Sequence, residues 1–205
     1  MPRIARVVIP GLPHHITQRG NRRQDTFFSN VDYRMYLRFM ARWCEEQKVE
    51  IWCYCLMPNH IHLIATPEAE QSLARAIGEA HRSYTCYINE KKRWKGYLWQ
   101  GRFSSFPLDE PHLLAAARYI ELNPVRARMV SDPGEYSCSS YRANALGQAN
   151  AILSPHPLYS PSPRTTPPGT SSIETSSAPR WMRPRLPTSA WRSIRTSRSE
   201  TAAVM

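Results

Sequence analysis

A chain of 205 residues, 41% of them hydrophobic, is long enough to bury one apolar core, and a formal charge of +11 favours a polyanionic partner, most commonly nucleic acid. No stretch reaches the roughly 18 apolar residues of a membrane span, and Pro10–Gly11 cut short the apolar start MPRIARVVIPG, which excludes a secretory signal. The five cysteines, Cys44, Cys53, Cys55, Cys86 and Cys138, are odd in number and contain no CxxC pair, so neither a disulfide framework nor a zinc finger is indicated. A reduced, cytoplasmic protein that does not enter a membrane is the expectation.

Taken in chain order, His14–Arg19 (HHITQR) reads as a strand closed by the turn Gly20–Asn21. Tyr33, Tyr36, Leu37, Met40 and Trp43 or Cys44 recur at helical spacing, predicting a helix over 31–47 that Ser29, Asn30 or Asp32 can cap. Glu50–Leu56 and His60–Thr66 are rich in strand formers and are separated by Met57-Pro58-Asn59, a hairpin pattern in which Cys53 and Cys55 are small buried side chains. A long helix is predicted over 72–92, with Leu73, Ile77, Ala80, Tyr84 and Tyr87 or Ile88 on its apolar side. Leu98–Pro107 is the next strand candidate, bent at Gly101, and Asp109 caps a last helix with Pro111 in its first turn. The order β-α-β-β-α-β-α predicts an α+β, ferredoxin-like split βαβ fold: a four-stranded antiparallel sheet with helices on one face, plus a C-terminal helix. Many functions share that fold, so the sites must decide.

Composition changes late in the chain. Residues 151–205 hold nine of the 18 prolines, eleven serines and no lysine, without helical or alternating periodicity. From 148 onward seven arginines against Glu174 and Glu200 give +5, leaving +6 for residues 1–147. The expected organisation is one domain over 1–147 and a disordered Pro/Ser/Arg-rich tail over 148–205.

Two segments carry chemistry. His60 and His62 stand at i and i+2 of a strand, so both imidazoles project from one face, a pair able to bind a divalent metal. Alone, one HxH among seven histidines is unsurprising. Tyr119 and Asn123, four apart on the last helix, share a face, and Pro124 places Asn123 at a break where its amide oxygen can turn towards a metal. Taken singly, a core tyrosine and a capping asparagine explain them as well.

In combination the segments are specific. LMPNHIHLI, followed some sixty residues later by ARYIELNPVRA, resembles the HUH single-tyrosine, insertion-sequence-200-like transposases. ARVVIPGLPHHITQRGNRRQ, HRSYTCYIN and YLWQGRFSSFPLDE are closer still to the REP-associated tyrosine transposase branch, and the resemblance runs from Ala5 to Tyr141 and on towards Tyr159. It implies that His60 and His62 are metal ligands, Asn123 the third ligand and Tyr119 the nucleophile. It also implies Mg²⁺ or Mn²⁺ as cofactor, and cleavage and strand transfer of single-stranded, hairpin-forming DNA through a 5′-phosphotyrosine. Recognition of a short tetranucleotide beside the hairpin would fall to Asn21, Arg22, Arg23 and Gln24. The alternative is a DNA-binding protein of the same fold that has lost cleavage.

The implied chemistry is coherent. A metal held by two imidazoles and an amide keeps its charge uncancelled by carboxylates, and phenols, ionising near pH 10, need activation. Arg82, Arg118, Arg126 and Arg128 are further candidates for phosphate contact; Trp94, Trp99, Phe103 and Tyr84 could stack on bases but fit a core better. His81 is placed near DNA with Arg82; His14 and His15 receive no role, and Glu79 and Glu121 are read as helix surface. Partners are expected to be DNA and no membrane, in a bacterial, nucleoid-associated monomer or homodimer. After Tyr159 the tail departs from the family and resembles out-of-frame translation, an expectation that the genomic DNA would decide.

Overall fold

The computed structural model describes residues 6–155, so the expectations for the tail beyond 155 lie outside the described residues. Four strands, β1 (His14–Arg19), β2 (Val49–Met57), β3 (His60–Pro67) and β4 (Ser104–Pro107), form one sheet of order β2-β3-β1-β4 with every pair antiparallel. Five helices accompany them: α1 (Asn30–Glu46), α2 (Ser72–Lys92), α3 (Glu110–Glu121), α4 (Asn123–Arg126) and α5 (Tyr141–Leu146). This is the expected ferredoxin-like α+β arrangement.

The predicted helices stand where periodicity placed them. Tyr36, Met40 and Cys44 of α1 and Leu73, Ile77, Ala80, Tyr84 and Ile88 of α2 bury one stripe each against one sheet face. Ser29 occupies the cap position of α1, but the Asp32 carboxylate accepts the Phe28 N–H (3.0 Å) and pairs with Lys91 (2.6 Å). Asp109 caps α3 by accepting from the His112 N–H at 3.0 Å.

The opposite sheet face receives α3 through Leu113, Ala117 and Ile120, which pack on Trp52, Cys53, Cys55 and Ile64. Ile51 pairs with Ala65 and Cys53 with Ile64, so Trp52 is an extra residue, a β-bulge. It lets Ile51 and Tyr54 face α1 and α2 while Trp52 and Cys53 both face α3.

Three expectations are corrected. The strand expected over 98–107 is reduced to Ser104–Pro107, because Gly101 at φ +68° turns the chain and lets Leu98, Trp99 and Phe103 drop into the core. Glu121 is fully buried rather than on the surface, with Oε1 accepting from Ser140 Oγ (2.5 Å) and Asn144 Nδ2 (2.8 Å); burial pushes its pKa up. His81 does not face solvent either: it stacks on Trp99 at 4.6 Å between ring centroids and shares a 3.0 Å hydrogen bond with the Tyr36 hydroxyl. Residues beyond 147 still touch the sheet, where Ser154 donates to the Ile51 carbonyl (2.8 Å) and Asn150 to the Tyr54 hydroxyl (3.0 Å). Among the described residues no helix is long and apolar enough to cross a membrane.

Burial pushes the His81 pKa down to about 3. An unfolded histidine titrates near pH 6.5, so the unfolded chain takes up a proton that the folded one refuses. This contribution to stability is fully present above about pH 6.5 and is lost as pH falls towards the folded value. Urea unfolding should lose up to about 1.4 kcal/mol per pH unit from this one residue across that window. His81→Asn should flatten the slope while lowering stability at pH 7.5; equal slopes in the two proteins would reject this origin.

Candidate active site

The site grows from strand parity. β1 and β3 pair with Thr17 opposite His62 and Arg19 opposite His60, so His15, Thr17 and Arg19 share a face with the two imidazoles. α3 covers the β2 side of that face, and the β1–β4 side stays open as a cavity of about 380 Å³ lined by Thr17, Arg19, His60, His62, Arg102 and Ser104, among others. Two guanidinium groups give this trough a positive lining suited to phosphate.

The His60 and His62 rings lie 5.2 Å apart, and the Tyr119 ring stands edge-on to His62 at 5.6 Å between centroids. Tyr119 is 40% exposed although it sits two residues before buried Glu121, because Ala117, Ile120 and Glu121 take the sheet-facing stripe of α3. Arg126 of α4 places its guanidinium carbon 5.0 Å from the Tyr119 ring centroid. α3 breaks at Leu122, and Asn123 opens α4 with Pro124 in its first turn, at 9% exposure.

Each imidazole has its Nδ1 engaged: His60 by Asn59 Oδ1 at 2.6 Å and His62 by His15 Nε2 at 3.0 Å. Burial, and then Arg19, lowers the His60 pKa to about 4. Burial, followed by His15, His60 and Arg19, lowers His62 to about 3. Both rings are therefore neutral at pH 7, with lone pairs available to a cation. Among the described residues no group of three or more His, Cys, Asp and Glu side chains is placed to hold a metal. A divalent cation here would rest on the two imidazoles, completed by amide, water or phosphate oxygen.

Asn21–Arg23 form a single 3₁₀ turn after β1, and Arg22 (φ +53°) and Arg23 (φ +60°) both adopt left-handed backbone, unusual for arginine. The turn borders a second cavity of about 260 Å³, where Asn21, Arg22 and Gln24 meet Asn89, Trp94 and Tyr97. Trp94 is 44% and Tyr97 87% exposed, whereas Tyr84, Trp99 and Phe103 are core residues. Gly20 makes the turn possible: a Cβ there would lie 2.2 Å from the Gln24 carbonyl oxygen and 2.9 Å from Thr26 Cγ2. Gly20→Ala is expected to cost about 1–3 kcal/mol through this overlap and to weaken binding of single-stranded oligonucleotides; unchanged thermal unfolding and affinity would contradict it.

Of the remaining candidates, Arg118 is exposed beside Tyr119 on α3, whereas Arg82 lies on α2, across the sheet from His60 and His62, and pairs with Glu79 at 2.7 Å. Sequence reading missed His15, Asn59, Arg19 and Arg102 as site residues. The HxH parity was visible, but the β1–β3 register that brings His15 and Arg19 onto the same face is non-local.

Fold and site together define a ferredoxin-like protein with a tyrosine helix laid over an HxH strand. The family model described as "Transposase IS200 like" matches residues 9–123, more than half of the chain, and the chain belongs to that family. The fold is shared with the structure of a REP-associated tyrosine transposase bound to a REP hairpin: TM-score 0.62, 20% identity, covering 76% of this chain and 93% of that one. A transposase-assigned protein from Deinococcus radiodurans R1 aligns at TM-score 0.41 and 20% identity over 59% of this chain and 96% of its own. The comparison with curated proteins finds no match.

Proposed function

We propose that the chain cleaves and rejoins single-stranded DNA beside a hairpin, with Tyr119 as nucleophile and Mg²⁺ or Mn²⁺ held at His60 and His62, with Asn123 as a third ligand. The observation that carries this reading is the meeting of the Tyr119 ring with His62 at 5.6 Å, across 57 positions of sequence. Membership of a transposase family supplies the reaction class, DNA transposition. Hairpin DNA as substrate is carried over from the relative solved with a REP hairpin, and the basic trough and aromatic-lined turn support it.

In the first step the Tyr119 Oη–phosphorus bond forms and the bond from phosphorus to the 3′-oxygen breaks. The phenolic proton passes to water, and the leaving 3′-oxygen takes up a proton to become a hydroxyl. A 3′-hydroxyl of another strand later attacks the phosphotyrosine and restores the phenol; one phosphodiester is exchanged for another, so no external energy source is required. The cation would stabilise charge on the phosphoryl and leaving oxygens. Arg126 holds the tyrosine ring, while Arg19 and Arg102 draw the phosphate into the trough. Leu113, Ala117 and Ile120 seat the tyrosine helix on its own sheet, which supports a site complete within one chain. The reading assigns the reaction to residues 1–147, with 148–205 as an appendage.

The test is a suicide assay. The full chain is incubated with a 5′-labelled or 3′-labelled hairpin oligonucleotide and Mn²⁺, then resolved on a denaturing gel. A covalent adduct carrying the label 3′ of the cut is expected; binding without an adduct would leave a DNA-binding protein of the same fold.

A further inference from the structure

The turn between β2 and β3 is two residues long, Pro58–Asn59, and it is wrapped by the segment that follows β1. The Gly20 N–H donates to the Asn59 carbonyl (2.8 Å), and the Thr26 and Phe27 N–H groups donate to the Pro58 carbonyl (2.8 and 3.1 Å). The Asn59 side chain spans the same junction: Nδ2 donates to the Arg23 carbonyl at 3.1 Å, and Oδ1 lies 2.6 Å from His60 Nδ1. A backbone carbonyl can only accept, so the NH₂ end of the amide faces Arg23 and the oxygen end faces His60. An oxygen there requires Nδ1 of His60 to carry the proton, which leaves Nε2 as the lone-pair nitrogen.

One amide therefore sets the tautomer and aim of His60 and fastens it to the carbonyl of a left-handed arginine. The Arg22–Arg23 turn and the HxH strand are one hydrogen-bonded unit, in which the Arg23 N–H returns to the Gly20 carbonyl (3.0 Å) and the Gln24 N–H to that of Asn21 (3.0 Å). A turn holding two non-glycine residues at positive φ is a strained element whose carbonyl direction shifts if the arginines are drawn towards phosphate.

We infer that Asn59 is a positioning residue that fixes the His60 tautomer and couples seating of a single strand on the Arg22–Arg23 turn to cation affinity at His60 and His62. The inference rests on the proposed function for the identity of both ligands. By linkage the coupling is reciprocal: the strand tightens the cation and the cation tightens the strand by the same factor.

The experiment is calorimetric titration of the full chain with Mn²⁺, with and without a single-stranded oligonucleotide too short to contain a cleavable phosphate. Wild type should bind Mn²⁺ at least about fivefold tighter with the oligonucleotide bound. Asn59→Ala should lose about 10–100-fold in Mn²⁺ affinity, as loss of an imidazole's hydrogen-bond partner does. Asn59→Asp keeps an oxygen for His60 but loses the donor to Arg23, so it should retain Mn²⁺ binding and bring the coupling ratio close to one. Unchanged Mn²⁺ affinity in Asn59→Ala, or an unchanged ratio in Asn59→Asp, overturns the inference. Long-range ¹⁵N–¹H spectra of wild type supply a measurement independent of variant folding: His60 should be protonated at Nδ1, and an Nε2–H tautomer overturns it. Wild type that binds both ligands with a ratio of one rejects the coupling alone, whereas wild type that binds no Mn²⁺ rejects the proposed site with it.

Discussion

Tyr119→Phe is expected to abolish the covalent adduct, by ~10⁴-fold or more, while leaving affinity for the uncleaved hairpin within about twofold. Phenylalanine keeps the ring that stands against His62 and under Arg126, so it removes little besides the hydroxyl. The position is 40% exposed, and a change there should alter stability by no more than about 0.5 kcal/mol. Denaturing gels report the adduct, mobility shift the binding and urea melts the fold. An adduct persisting at wild-type level would move the nucleophile elsewhere, with Tyr97, exposed beside the second cavity, the first residue to examine.

The second large effect is expected at the cation site. His60→Ala leaves a single imidazole and should reduce Mn²⁺ affinity by ~100-fold or more, beyond what loss of an outer hydrogen-bond partner costs. The rate of adduct formation at limiting Mn²⁺ should fall ~10²–10³-fold, comparable to removing one electrostatic stabiliser from an active site. His60 is only half buried, so the fold should lose about 1 kcal/mol. Raising Mn²⁺ should restore activity in His60→Ala and not in Tyr119→Phe. That contrast separates a cation ligand from a nucleophile. Activity of His60→Ala independent of Mn²⁺ concentration would remove His60 from the site.

Where structure follows from neighbours in sequence, the sequence was a good guide. Helix α2 spans the predicted 72–92, α1 lies within one residue of its predicted bounds, and the β2–β3 hairpin closes on Pro58–Asn59. These rest on periodicity and turn chemistry, which are local. The shortened β4 shows where that fails: Trp99 and Phe103 are strand formers, but the core beneath α1 and α2 takes their rings and the chain yields at Gly101. Glu121 was misread because a carboxylate suggests solvent. Yet 113, 117, 120 and 121 form one stripe, and the acid lies in it because Ser140 and Asn144 come back to meet it. In the site, HxH and the Tyr119–Asn123 pair were legible as motifs. The approach of Tyr119 to His62 depends on α3 packing across β2 and β3, and the enlistment of His15, Arg19 and Asn59 on the register of β1 against β3 and on backbone bonds from residues 20–27.

The extra residue at Trp52 bears on how such chains vary in length. Register in the β2–β3 hairpin is set from the Pro58–Asn59 turn, so deleting Trp52 would leave Cys53–Met57 paired as they are and restore strict alternation upstream. What disappears is the bulged carbonyl that receives Asn144 Nδ2 at 3.1 Å, a nitrogen that also donates to Glu121. The segment after α4 would lose one attachment and keep Ser154 on Ile51, Asn150 on Tyr54 and Ser140 on Glu121, while the tyrosine helix would lose the Trp52 ring on which it packs. A change of strand length at this one position therefore reaches the tyrosine helix and the terminal segment together, so over evolutionary time the two should be altered as a pair rather than exchanged separately.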